Sequence, residues 1–520
     1  MPPKPFNPAN ALTGEAKATH LRKQLATLKE DLEKKNLSSD KRWEILEELK
    51  CYGRSPDNSD PIYEKEGITI ISKYAFDVKD SNKEVSREAL RIICNSLLLH
   101  EPLRSLYCDL GFLEKCPAKF KDCPTDDEFV LSRIMFLLTY CPQKATPIFQ
   151  TLLEDTSLST SIASALSRHA TRIQKGKPAT QWDSMALLET LKLIFNLTYH
   201  LPTATTHLTS CLPPLFTLLL RTSIPTPPLS PPLQQIINAL LNFPLDTKLL
   251  KSSLPSETSS TEKLLDILDA ALPKDDPPVK GSSTTSTTPT PSFDETASPL
   301  LSVLKNHLDT STPSITTLLK LRLLPRPEDR ALPLGKGNTL SARLLRTSAG
   351  ANAPNTKDII LALLYSLSDS DPEAFVENVG YGYASGFLFS HNIPVPESIT
   401  RAAGGASSGP SSPHLSPADA EKGKELRRTA SRGSMKSRKL KGEVNPVTGQ
   451  MLEEEERMYK GKDPFEGMTE EEKEREAERL FVLFERLRKT GIVDVENPVT
   501  VAQREGKLED LGSDREDDSD

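Results

Sequence analysis

Hydrophobic positions in this chain recur at helical spacing. Residues 15–50 read as two helices, the first carrying Leu21, Leu25, Leu28 and Leu32 at i, i+4, i+7 and i+11, the spacing of one helix face. Trp43, Leu46 and Leu49 mark the second, and GRSPDNSDP at 53–61 reads as a loop. From about 62 to 250, apolar helical segments alternate with short Pro/Asp/Ser breaks. Leu dominates, and the period-two alternation of Val, Ile and Tyr that marks strands is almost absent. Connections this short make successive helices antiparallel neighbours.

The pattern predicts further helices at 299–308, 314–324, 339–346 and 357–390. Low-complexity stretches set them apart. Residues 272–298 (LPKDDPPVKGSSTTSTTPTPSFDETAS) are expected to be a disordered insertion, since such a composition cannot bury a core. The expected organisation is a helical solenoid over 1–400, a flexible basic linker over 401–444, a C-terminal arm over 445–500 with a helix at 469–489, and an acidic tail over 501–520.

One helix recurs with a narrow polar face. EALRIICNSL at 88–97 and ETLKLIFNLT at 189–198 share an acid, then Leu two later, a base three later and Asn seven later. QIINALLNF at 235–243 is a looser copy. Arg91 with Asn95, Lys192 with Asn196, and Asn238 with Asn242 are each i, i+4 pairs on one face. The remaining positions are apolar, so each helix is buried nearly all round. In armadillo and HEAT solenoids one helix of each repeat lines a concave groove in this way. The asparagines there either meet a bound segment or bond a neighbouring loop. The expected fold is an all-α, armadillo/HEAT-like helical superhelix with a flexible C-terminal arm.

Composition narrows the function classes. The net charge of -7 argues against nucleic acid as the main partner, since such binders carry a basic face. No apolar run reaches the ~18–20 residues of a membrane span, and MPPKPFNPAN lacks the apolar core of a signal peptide. A cytoplasmic, monomeric protein is the expectation, with recruitment to the cell cortex open to it. The seven cysteines contain no CxxC, so neither zinc nor any other metal or cofactor is expected. There is no P-loop, HExxH, GxSxG or kinase signature. GYGYASG at 380–386 has no preceding strand and reads as a helix–helix turn with close backbone packing. No catalytic residue is expected.

The sharpest local signal is MTEEEKEREAERLFVLFERLRKTG near the C-terminus. Thr469 and Glu472 form a capping box, acids lead and bases follow, and Gly491 closes it. Leu480, Phe481, Phe484 and Leu487 form an apolar stripe with Ala477. This helix either packs back on the solenoid or is a tethered clasp for a partner. Ser431 and Ser434 beside arginines, and Ser513 with an acid at +3, are candidate phosphorylation sites.

These residues also carry a resemblance. NPVTG (Asn445 to Gly449), the EGMTEEEKEREAERLFVLFERL stretch and GIV resemble the C-terminal signature of the synembryn family (resistance to inhibitors of cholinesterase 8). SRIMFLLT at 132–139, ETLKLIFNLTY at 189–199 and FVENVGYGYASGFL at 375–388 resemble the same family. The resemblance implies an armadillo/HEAT superhelix that acts on heterotrimeric G-protein alpha subunits, as guanine-nucleotide exchange factor and as chaperone. It further implies that the groove takes the partner's C-terminal helix while the arm contacts its GTPase core. The groove set is then Arg91, Asn95, Arg133, Lys192, Asn196, Asn238 and Asn242; the arm set is Leu480, Phe481, Phe484 and Leu487. The linker departs from the family pattern, being basic (ELRRTASRGSMKSRKLKG) where animal members have an acidic, phosphorylated one, so that regulation does not carry over. The rival reading is a passive armadillo-type adaptor.

Overall fold

The computed structural model describes residues 12–80, 82–244, 256–274, 292–309, 312–350, 353–395, 444–445, 447–459 and Thr469. The arm helix, with Leu480, Phe481, Phe484 and Leu487, lies outside the described residues, as do Ser431, Ser434 and Ser513. Two compact units divide the chain. One comprises Met1–Leu272 and Gly281–Leu318, the other Pro273–Lys280 and Leu319–Asp520.

The first unit is built on a row of six helices. They are α1 (Ser39–Tyr52), α2 (Lys83–Leu99), α3 (Thr125–Leu138), α4 (Gln181–His200), α5 (Leu233–Leu240) and α6 (Phe293–Asp309). Each packs on the next in that order. A second layer flanks the row: helix Ser157–Gln174 packs on Leu212–Arg221, which packs on Ser259–Ala271. This is the layered repeat of an armadillo/HEAT solenoid. Helix α6 begins at Phe293, inside the stretch expected to be a low-complexity insertion.

Local sequence explains where the row helices start and stop. The Asn82 side chain accepts from the Glu84 N–H at 3.0 Å at the start of α2. Thr180 and Asp183 cap α4 reciprocally, which satisfies two otherwise orphaned donors. Helices α2, α3 and α4 each end just before a proline (Pro102, Pro142, Pro202) that opens or precedes the next turn. Proline cannot continue a helix, and its ring biases the preceding residue away from the helical region.

The core between the row helices is aliphatic: Ile93, Ile134, Met135, Leu138, Leu191 and Ile194 are fully buried. Two polar ties cross it. Ser132 Oγ and Thr190 Oγ1 are 2.9 Å apart, and Asn196 Nδ2 donates to Thr139 Oγ1 at 2.8 Å. Beneath them Glu128, 0% exposed, accepts from Thr190 at 3.1 Å and pairs with His169 and Arg168, each at 2.9 Å. Burial pushes its carboxyl up, but these contacts outweigh it and hold the group below the usual glutamate value.

The second unit contains α7 (Leu340–Ala349), α8 (Pro354–Leu367), α9 (Pro372–Val379), α10 (Tyr381–Ser390) and α11 (Leu452–Tyr459). The run expected as one helical stretch over 357–390 is thus three helices. Gly380, at φ +79°, turns α9 into α10, the close helix–helix turn expected of GYGYASG. Tyr365, Phe375 and Phe387 form its aromatic centre, with ring centroids 5.4–5.8 Å apart. Among the described residues the only extended pairing is the bridge between Val444 and Met451. No helix among them is long and apolar enough to cross a membrane, and no cluster of metal-binding side chains occurs among them.

Candidate functional site

Helices α2, α3 and α4 each present one stripe that their neighbours leave open. On α3 the stripe is Phe129, Arg133, Phe136 and Tyr140, spaced i, i+4, i+7 and i+11. On α2 it is Arg91, Asn95 and Leu98, and on α4 it runs from Trp182 through Lys192 to Tyr199. Leu98, Tyr140, Trp182 and Tyr199 are all exposed, from 39% for Trp182 to 65% for Tyr199.

These side chains touch in an unbroken order. The Arg91 guanidinium lies 5.8 Å from the Trp182 ring, and Trp182 meets Phe129 edge-on at 5.9 Å. Arg133 lies over Phe129 at 5.7 Å and reaches Glu189 at 3.9 Å. Glu189 pairs with Lys192 at 2.9 Å; Lys192 lies over Phe136 at 5.8 Å. Phe136 meets Tyr140 edge-on at 5.3 Å, and Arg104 covers Tyr140 at 5.6 Å. The result is a ladder of cations and rings across α2, α3 and α4, ended by Arg104 of the short helix Pro102–Asp109. Each cation–ring contact contributes about 0.5–1 kcal/mol where solvent reaches it.

The acids of the repeated motif do a different job from its bases. Glu88 and Glu189 are only 2% and 5% exposed. An ionised carboxylate this deep must be paired. Glu88 pairs with Arg91 and with Lys50 of α1 at 2.6 Å; Glu189 holds Lys192 and Arg133. The buried acid therefore anchors the base that stands above it on the open face.

The four asparagines divide two and two. Asn196, 7% exposed, ties α4 to Thr139. Asn242, just past α5, donates to Thr198 Oγ1 at 3.1 Å. Asn95 is half-buried and its side chain makes no hydrogen bond among the described residues. The Asn238 Oδ1 is buried without a partner. Asn95 and Asn238 thus keep amide groups uncommitted, while Asn196 and Asn242 knit neighbouring helices. The aromatic residues of the ladder were not singled out from sequence. The stripe on α3 has a helical period, but a ring on such a stripe reads equally as core.

The fold and this face define a helical repeat protein with an open stripe of cations and rings across its row helices. The chain belongs to the Ric8 family, described as guanine nucleotide exchange factor synembryn, which matches residues 45–507. It is 24% identical over 495 residues to chaperone Ric-8A of Macaca fascicularis, spanning 91% of this chain and 86% of that one. It is 29% identical over 218 residues to the synembryn-like chaperone C3E7.04c of Schizosaccharomyces pombe, spanning 42% of this chain and 36% of that one. A crystal structure of an engineered protein superposes at a TM-score of 0.41 and 13% identity, over 81% of this chain and 96% of that one.

Proposed function

We propose that this chain is a guanine-nucleotide exchange factor and folding chaperone for heterotrimeric G-protein alpha subunits, and that it receives their C-terminal helix on the α2–α4 face. The family match over residues 45–507 carries this reading. The chemistry of the face supports it. An amphipathic helix docks its apolar side against exposed rings and its acidic side against cations, and the ladder offers both. Four cations (Arg91, Arg104, Arg133, Lys192) stand there with three carboxylates, Glu88, Glu101 and Glu189, the first of which Lys50 shares. Asn95 on the face would bond the backbone or end of the seated helix, and Asn238 on the adjoining α5 would do so where that helix overruns the face, with Asn196 and Asn242 holding the face in shape.

The mechanism is differential binding and needs no covalent step. A protein that prefers the nucleotide-free alpha subunit over its GDP form weakens GDP by the same factor. Drawing the C-terminal helix out of the partner loosens the nucleotide pocket packed behind it. The same grip on an unfinished GTPase stabilises it, which is chaperone activity. The arm, with Leu480, Phe481, Phe484 and Leu487, would close on the GTPase core, and the work would be done in the cytosol by a single copy of the chain. GDP release from a purified alpha subunit tests this. The chain should accelerate release, whereas a passive adaptor would bind without doing so.

A further inference from the structure

Arg330 is the bulkiest fully buried side chain among the described residues, at 1% exposure. Its hydrogen bonds go to main-chain carbonyls. Nη2 donates to Glu377 O at 2.8 Å and Asn378 O at 3.2 Å, at the negative C-terminal end of α9. Nη1 donates to Gly449 O at 2.9 Å, a residue 119 positions away. The guanidinium therefore joins a helix end to the stretch that carries the NPVTG motif.

That stretch is seated by its backbone. Leu334 N–H donates to Thr448 O at 3.0 Å, Gly382 N–H to Val447 O at 3.1 Å, and Met451 N–H to Arg330 O at 3.0 Å. Gln450, 2% exposed, donates to Ala331 O at 3.1 Å. The stretch also holds its own shape. Asn445 Oδ1 accepts from the Val447 and Thr448 N–H groups at 2.9 and 3.2 Å, a local turn that asparagine favours. Asn445 N–H donates to Gln450 O, and Gly449 N–H to Asn445 O, both at 2.8 Å.

At two glycines an added side chain would force the neighbouring structure to shift. A Cβ at Gly449, where φ is +69°, would stand 2.3 Å from Leu334 Cδ1. A Cβ at Gly380 would stand 2.9 Å from Val447 O. The cleft and its occupant are thus matched in shape, in hydrogen bonds and in backbone conformation.

We propose that residues 444–445 and 447–451 are a peptide ligand bound in cis: the cleft made by residues 327–334, Gly380 and Gly382 recognises an asparagine-anchored turn ending in glycine, and Arg330 is its positioning residue. This binding site is filled by the chain itself, at the high effective concentration that a covalent tether gives. Residues 447–459 are then held on the unit that carries the cleft. For the arm this deepens the exchange-factor reading, since a clasp must leave from a defined place.

The test uses the full chain without any alpha subunit, so its outcome is independent of that reading. A protease-recognition sequence is inserted at about residue 420, in the sense of a tether cut without loss of either end, and the cut protein is run on a sizing column. The wild-type C-terminal fragment should co-elute with the rest of the chain. Gly449→Ala, and separately Asn445→Ala, should release it; both lie on the fragment and leave the receiving cleft unchanged. Arg330→Lys should weaken retention, because an ammonium cannot span three carbonyls. Separation of the wild-type fragment would overturn the proposal, and so would retention of the Gly449→Ala fragment, which would mean that other residues hold it.

Discussion

The Arg91 guanidinium on α2 lies 5.8 Å from the indole of Trp182 on α4, across the intervening helix α3. The contact joins the first and third helices of the face and begins the ladder. If the face is a docking site, Trp182 is the exposed ring that anchors one end of it. Trp182→Ala should weaken alpha-subunit binding about tenfold, as expected of an interface anchor. Being 39% exposed, it should leave stability within about 0.5 kcal/mol of wild type. Isothermal titration and thermal melting of the same preparations check both halves.

The asparagines should separate by role. Asn196→Ala removes the buried bond to Thr139 and should cost about 1–2 kcal/mol of stability, visible in denaturant unfolding. Asn95→Ala removes no bond within the protein. It should leave unfolding unchanged and weaken partner binding. Equal stability losses in the two variants would contradict this division.

Glu128 should make stability depend on pH in a definite direction. Its carboxyl is fully buried and held below the ordinary 4.5 by His169, Arg168 and Thr190, against the upward push of burial. A group whose folded-state value is lowered contributes stability that is fully present above the unfolded value and lost as pH falls through the folded one. Stability should therefore fall more steeply below about pH 4.5 in the wild type than in Glu128→Gln. At neutral pH, Glu128→Ala should cost about 3 kcal/mol, since it leaves the buried His169 ring and the Arg168 guanidinium without the carboxylate they pair with. Chemical denaturation across a pH series reads out both effects.

The buried Arg330 sets where the chain can be shortened. A protein ending at residue 443 loses Gly449 O as an acceptor and leaves Leu334 N–H and Gly382 N–H unpaired. It should melt at a lower temperature than one ending at residue 460, which keeps all of these bonds. Identical melting of the two would show that residues 444–459 add nothing to the second unit.

Much of this architecture was legible in the sequence, because its causes are local. Asn82, Thr180 and the prolines that follow α2, α3 and α4 act within a few residues. The acid–base–Asn motif placed Arg91, Lys192 and the asparagines on helix faces. What stayed hidden is non-local. An acid and a base at i, i+3 read as a solvated surface pair, and only the packing of α1 on α2 reveals Glu88 as a buried anchor for Lys50. Asn196 finds Thr139 at a separation of 57 residues, and Arg330 finds Gly449 at 119. The rings of α3 and α4 carry the periodicity of core residues, and only the fold shows that no neighbouring helix among the described residues covers Trp182, Tyr140 and Tyr199.

The most direct measurement is the rate of GDP release from a purified alpha subunit, followed with a fluorescent GDP analogue at increasing concentrations of the full chain. The account predicts a saturable acceleration. Trp182→Ala should shift its half-maximum to higher concentration, and a peptide copying the alpha subunit's C-terminal helix should suppress it. Tight binding of the alpha subunit with an unchanged release rate would contradict the account and leave a passive adaptor.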